Sequence, residues 1–112
     1  MSNKEQRQGE ARHGGIRTIR LLVAANRYDW TQEVQAAIED GLCEPEDLES
    51  CIETGRVTKT NRDRYGESLG NKVYTIVGRD RAGCEFYTAG KILKADDGAL
   101  YFFVTAHRSW RG

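Results

Sequence analysis

The sequence predicts an α+β domain, with two or three N-terminal helices packed on one face of a mainly antiparallel sheet of about four strands. Three observations carry this expectation. Up to Gly55 the apolar residues recur three and four apart, which is the helical period. Beyond Gly55 they gather in β-branched and aromatic runs, which suit strands. Glycines, an asparagine stop and an Asp96-Asp97-Gly98 turn separate the runs. The 112 residues suit one domain, read as 15–112 behind a disordered polar tail over 1–14.

Taken in order, apolar residues at 16, 19, 22 and 23 mark a short helix from Ile16 to Ala25, and Asn26 is its expected stop. Thr31 or Asp29, in Tyr28-Asp29-Trp30-Thr31, caps a second helix from Gln32 to Asp40. That helix buries Val34, Ala37 and Ile38, and Gly41 ends it. A third helix starts near Glu44-Pro45. Proline loses nothing in the first helical turn, and Glu44, Glu46 and Asp47 suit the positive end of the helix dipole. Leu48, Cys51 and Ile52 form its buried stripe, and Gly55 stops it.

Val57 to Thr60 reads as a strand, Asn61 to Asn71 as a polar loop, and Lys72 to Arg79 as a strand. After a turn at Asp80 to Gly83, Cys84 to Leu93 and Ala99 to His107 read as a hairpin around Asp96-Asp97-Gly98. Period-two alternation then assigns two faces. Val73, Thr75, Val77, Phe86, Thr88, Gly90, Ile92, Leu100, Phe102, Val104 and Ala106 are expected to meet the helices. Tyr74, Tyr87, Ala89, Lys91, Tyr101, Phe103, Thr105 and His107 are expected on an open face.

Net charge is zero but segregated. Residues 1–27 carry a net +4, residues 28–54 a net −9 with no basic residue, and residues 55–112 a net +5. Two readings stand: a nucleic-acid face, or an acidic helical layer that pairs with basic loops. The stretch from Arg56 to Arg64 holds four basic residues and one acid, and it either grips phosphates or neutralises Glu44 to Glu53. The longest apolar run, Leu21 to Ala25, is far too short to cross a bilayer. The N-terminus has no apolar stretch of the signal-peptide kind, so a cytoplasmic protein with no membrane partner is expected. Cys43, Cys51 and Cys84 fit neither a disulfide framework nor a zinc site, and read as reduced, mostly buried side chains.

No P-loop, GxGxxG, GxSxG or HExxH motif is present, and the only histidines are His13 and His107. No metal site and no cofactor are expected. The open face remains as the candidate site. Metal-free RNA cleavage needs a base for the 2′-hydroxyl, a cation for the phosphorane charge and an acid for the leaving oxygen. Lys91, His107 and Tyr87 are the candidate catalytic residues, with Arg62, Arg64, Arg79 and Arg108 as phosphate ligands. Three readings of this face stay open. It catalyses; it docks a protein through Tyr74, Tyr101 and Phe103; or it has no function, with Lys91 keeping an ordinary sheet soluble.

Several short segments resemble a family of small, largely uncharacterised bacterial domains found beside zinc-finger antitoxins. They are Ile19-Arg20-Leu21-Leu22-Val23, Tyr28-Asp29-Trp30-Thr31, Asp40-Gly41-Leu42 and Pro45-Glu46-Asp47-Leu48, followed by Glu53-Thr54-Gly55-Arg56-Val57, Val73-Tyr74-Thr75-Ile76-Val77-Gly78 and Val104-Thr105-Ala106-His107. The resemblance spans roughly residues 16 to 107. It implies a fold like the RelE, MqsR and BrnT toxins, and a toxin-like RNA-binding protein or metal-free endoribonuclease. An antitoxin or other protein and RNA are then the expected partners, with oligomeric state open. Where family members carry a His-Ala pair early in the second helix, this chain has Glu33-Val34. That leaves two alternatives: an inactive relative, or one that uses Glu33. The competing function is a non-catalytic module that docks a partner or itself through the aromatic sheet face.

Overall fold

The computed structural model describes residues 15–108; the tail expected over 1–14 lies outside the described residues, as do residues 109–112. In chain order the elements are α1 (Gly15–Ala24), β1 (Tyr28–Trp30), α2 (Gln32–Glu39), α3 (Pro45–Thr54), β2 (Arg56–Arg62), a single 3₁₀ turn (Leu69–Asn71), β3 (Lys72–Arg79), β4 (Glu85–Ala95) and β5 (Gly98–Arg108). No helix among the described residues is long and apolar enough to cross a membrane.

The helix boundaries follow from their caps. At the end of α1, Asn26 takes a positive φ of 62°. The Asn26 N–H then reaches Val23 O at 3.0 Å and the Arg27 N–H reaches Leu22 O at 2.8 Å, the double bond pattern that closes a helix. Thr31 accepts from the Val34 N–H to start α2, and Gly41 ends it at φ 79°. At α3 a capping box links Glu44 and Asp47 around Pro45. Arg20 reaches over from α1 to the exposed carbonyls at the other end of α3, donating to Ile52 O at 3.1 Å and Gly55 O at 2.7 Å. A cation suits that negative end of the dipole.

The sheet has five strands in the order β1-β5-β4-β3-β2, not about four. Four are antiparallel neighbours, and β1 runs parallel to β5 at one edge, so the sheet is mixed. Tyr28-Asp29-Trp30, expected only as a helix approach, is that added strand. Three residues are too few to display alternation, and their partner lies some seventy residues away, so only the tertiary pairing defines them.

All three helices pack on one face. Ile19 and Val23 from α1, Val34 from α2, and Leu48, Cys51 and Ile52 from α3 share one core with Tyr74, Ile76, Phe86, Ile92, Tyr101 and Phe103. Fully burying an aliphatic or phenyl side chain of this kind contributes about 1.5–3 kcal/mol. The expected face assignment holds for β4 and fails elsewhere. Phe86, Thr88, Gly90 and Ile92 do point to the helices. In β3 the sense is inverted: Tyr74 and Ile76 are buried, while Val73, Thr75 and Val77 face outward. In β5 a bulge intervenes. Ala89 pairs with Thr105 but Gly90 pairs with Phe103, so Val104 is the extra residue. Ala106 therefore meets the core as expected, whereas Leu100, Phe102 and Val104 face away from it and Tyr101 and Phe103 enter it. Thr31 fixes the bulge by donating to Val104 O at 2.9 Å.

Two glycines explain how closely α3 lies on the sheet. A Cβ at Gly78 would meet Cys51 O at 2.3 Å, and one at Gly55 would meet the same oxygen at 2.4 Å. Glycine inside a strand often marks such a close approach.

Candidate nucleic-acid interface

The open face carries cross-strand rows of side chains. Arg56, Val77, Tyr87 and His107 are successive register partners across β2, β3, β4 and β5. Lys59, Thr75, Ala89 and Thr105 form the next row. In the first row the Tyr87 and His107 rings stack, with centroids 5.4 Å apart and planes 9° from parallel. The His107 Nδ1 lies 3.1 Å from Arg108 O. A carbonyl oxygen only accepts, so His107 Nδ1 is the donor in this contact.

At the other end of the face the β2–β3 connection folds back over the sheet. Asp63, buried at 3% exposure, organises it by accepting the N–H groups of Tyr65, Glu67 and Ser68 at 3.1, 3.0 and 2.9 Å. Lys91 rises from β4 beneath this loop, 3.0 Å from Glu67 Oε1 and 3.4 Å from Asp63 Oδ1. The Tyr65 ring lies 5.4 Å from the ammonium. Ser68 forms an isolated bridge with Leu93 and pins the far end of the loop.

The electrostatics of this clasp are one-sided. Burial alone would raise the Asp63 carboxyl, but the donors from Ser68, Tyr65 and Glu67 outweigh it and hold the group at about 2. Burial works against the Lys91 ammonium, but Glu67 and Asp63 overcome it and raise its pKa above the ordinary 10.5. Lys91 is thus a firmly protonated cation whose charge is matched by two carboxylates. It is not placed to act as a base or as an unpaired phosphate ligand.

The expected site residues therefore separate. Tyr87 and His107 are neighbours. Lys91 sits four residues along β4 from Tyr87, about 13 Å at about 3.3 Å per residue, so the expected catalytic trio does not converge on one phosphorus. Arg62 and Arg64 are exposed and line a depression of about 570 Å³ with Asn61, Asp63, Tyr65, Val73, Lys91 and Val104. Arg79 is exposed at the end of β3 and donates to Gly83 O at 3.0 Å. Arg108 is engaged with buried Asp80, Nε to Oδ2 at 2.9 Å. Burial would raise the Asp80 carboxyl, but Arg108 and the N–H groups of Cys84 and Ala82 hold it below the ordinary carboxylate range. Arg108 is thereby a brace between the β3–β4 turn and β5.

The expected docking residues Tyr74, Tyr101 and Phe103 are 2% exposed or less and belong to the helix-side core. They are corrected from the open face to the interior, by the inverted sense of β3 and the bulge in β5. Glu33 is exposed on α2, on the opposite side of the sheet from Tyr87 and His107. Cys84 is exposed rather than buried; Cys43 and Cys51 are buried as expected. Burial pushes the Cys51 thiol up to about 11, so it stays protonated and inert.

None of Arg56, Lys59, Arg62 and Arg64 has a carboxylate partner among the described residues, so this stretch does not neutralise Glu44 to Glu53. The α3 acids find other partners: the Tyr28 hydroxyl donates to Glu49, and Arg81 lies 3.8 Å from Glu44. Sequence reasoning missed the roles of Tyr65 and Asp63, which fall in what reads as a featureless polar loop. An aromatic set between arginine and glycine, in Arg64-Tyr65-Gly66, was the available signal. Among the described residues no group of three or more His, Cys, Asp or Glu side chains is placed to hold a metal ion. No protein-family model, curated protein or solved structure matches the chain.

Proposed function

We propose that the chain is a toxin-like, single-stranded RNA-binding domain that uses the open sheet face. One observation carries this reading. Arg56 and Lys59 lie in the cross-strand rows of the face on which Tyr87 and His107 stack, and Arg62 and Arg64 line the depression at its end; none of the four has a carboxylate partner among the described residues. Basic groups that follow a backbone and rings that stack on unpaired bases are the two parts of a single-strand site. The acids of residues 28–54 sit on or beside the helices on the far side, so the opposite face repels the same ligand.

Cleavage is a narrower claim within this reading, and it rests on His107. Its Nε2 would take the 2′-hydroxyl proton while O2′ attacks phosphorus and the 5′-oxygen leaves, protonated by Tyr87 or water. Incubation with single-stranded RNA should then yield 2′,3′-cyclic phosphate ends with the wild type and none with His107→Ala. RNA bound but left intact by both would reduce the domain to a binder.

A protein-docking role is favoured by a different observation: Val73, Leu93, Leu100, Phe102 and Val104 are half-buried aliphatic and aromatic residues on the same open side. Induced expression in a bacterial host separates the readings. Growth arrest relieved by Tyr87→Ala/His107→Ala at equal soluble level supports the RNA-directed toxin. Normal growth with abundant wild-type protein, together with no affinity for single-stranded RNA, supports the docking module.

A further inference from the structure

Resting on the RNA-binding reading, we propose that the depression beneath the β2–β3 loop is a subsite for one nucleotide, with the phosphate at Arg62 and Arg64 and the base against the Tyr65 ring. The depression holds about 570 Å³, within the range of small-ligand sites. Its lining is divided in the way a nucleotide is. Arg62 and Arg64 supply charge, Val73 and Val104 supply apolar surface, and Asn61 offers both a donor and an acceptor for a base edge; Asp63 also lines it, but both its oxygens are taken by the loop amides and Lys91. Tyr65 is 81% exposed, so most of its ring is uncovered.

The wall is also built in advance. Asp63 holds three backbone N–H groups of the loop, and Lys91 ties Asp63 and Glu67 to β4. A ligand entering here meets an ordered loop and loses little affinity to ordering it. Lys91 is a positioning residue in this account, acting through the loop. The bulge at Val104 contributes too, because the extra residue brings that side chain into the lining.

Two other depressions do not fit a nucleotide. The groove between α1 and α3 is about 250 Å³ and brings Glu49 and Glu53, which repel phosphate, while its Arg20 is committed to carbonyls. The hollow between Arg56, Arg79 and Glu85 is about 180 Å³, too small for a base and its sugar.

The test is a titration of the isotope-labelled full chain, followed by amide NMR shifts, with adenosine 5′-monophosphate, ribose 5-phosphate, inorganic phosphate and a short single-stranded RNA. Adenosine 5′-monophosphate should shift residues 61–65, 73 and 104 and bind more tightly than ribose 5-phosphate. Tyr65→Ala should weaken the nucleotide about tenfold and leave ribose 5-phosphate unchanged; the ring's exposure makes misfolding no explanation. Arg64→Ala should weaken all the phosphate-bearing probes. Equal binding of nucleotide and inorganic phosphate would overturn the subsite. So would RNA that shifts Tyr87 and His107 but leaves 61–65 silent, although the RNA-binding reading would survive. No shift with RNA or nucleotide would overturn both.

Discussion

On the helix side of the sheet, Phe86, Tyr101 and Phe103 are fully buried, and two glycines let α3 come within backbone contact. On the open side, burial is produced by a loop: Lys91 is 6% exposed only because Asp63, Tyr65 and Glu67 lie over it. The first face is held by shape, the second by paired charge and directed hydrogen bonds. The difference has consequences for tolerance. A packed apolar face resists any added atom. A polar clasp resists loss of a partner, because a buried ion left alone is costly.

The largest effect expected is at the close approach. Gly78→Ala puts a Cβ 2.3 Å from Cys51 O, where neither backbone can yield cheaply. Denaturant unfolding should show a loss of about 3 kcal/mol or more, a large share of a small domain's stability. A loss below about 1 kcal/mol would mean that α3 is free to lift, and that the helix side is not held by shape.

The open side should break differently. Lys91→Met removes the cation from two carboxylates, so hydrogen exchange at the Tyr65, Glu67 and Ser68 amides should accelerate while the core amides of β4 stay protected. The same clasp should respond to acid. Because the folded Asp63 carboxyl is depressed from 3.8 to about 2, its contribution is fully present above the unfolded value and is lost as the pH falls toward 2. Asp63→Asn should flatten that part of the stability-versus-pH curve; an unchanged curve would show that Asp63 is not what holds the loop.

A smaller effect of opposite sign is expected at Tyr101. Among the described residues the Tyr101 hydroxyl is buried without a hydrogen-bond partner, unlike buried Thr88 on the same face, which lies 3.6 Å from Cys51 Sγ. The Tyr101 ring is fitted against Gly90, where a Cβ would lie 2.6 Å away. Tyr101→Phe keeps the ring and removes the orphaned group, so unfolding should show a gain of about 1 kcal/mol. A loss would mean that the hydroxyl is satisfied and that the core is less apolar than it looks.

The local structure was legible where local chemistry decides it. Asn26, Thr31, Gly41, Glu44-Pro45 and Gly55 set the helix ends within a residue or so, and β3 spans Lys72 to Arg79 as its β-branched run implies. What was not legible is non-local. In β3 both sets of alternating residues are apolar or β-branched, so composition does not choose a face. Gly78 would have chosen it, since a strand glycine marks a close neighbour and its partners in alternation are Tyr74 and Ile76. The bulge at Val104 has no sequence signature of its own and flips half of β5. Lys91 and His107 both belong to the open face as read, yet their roles diverge because a loop that looks unstructured contains the carboxylate that claims the lysine. The functional expectation came only through resemblance, and the proposal built on it rests on Tyr87, His107 and the cations of β2 and its loop.

The measurement closest to the central claim is the affinity of a fluorescent single-stranded RNA for the full chain across a salt series. Binding should weaken with salt, and Arg62→Ala or Arg64→Ala should each lower the slope by about 0.7. Tyr87→Ala should cost about tenfold at every salt concentration, because it removes stacking rather than charge. Absence of binding at low salt, or binding that none of these variants alters, would contradict the assignment of the open face to RNA.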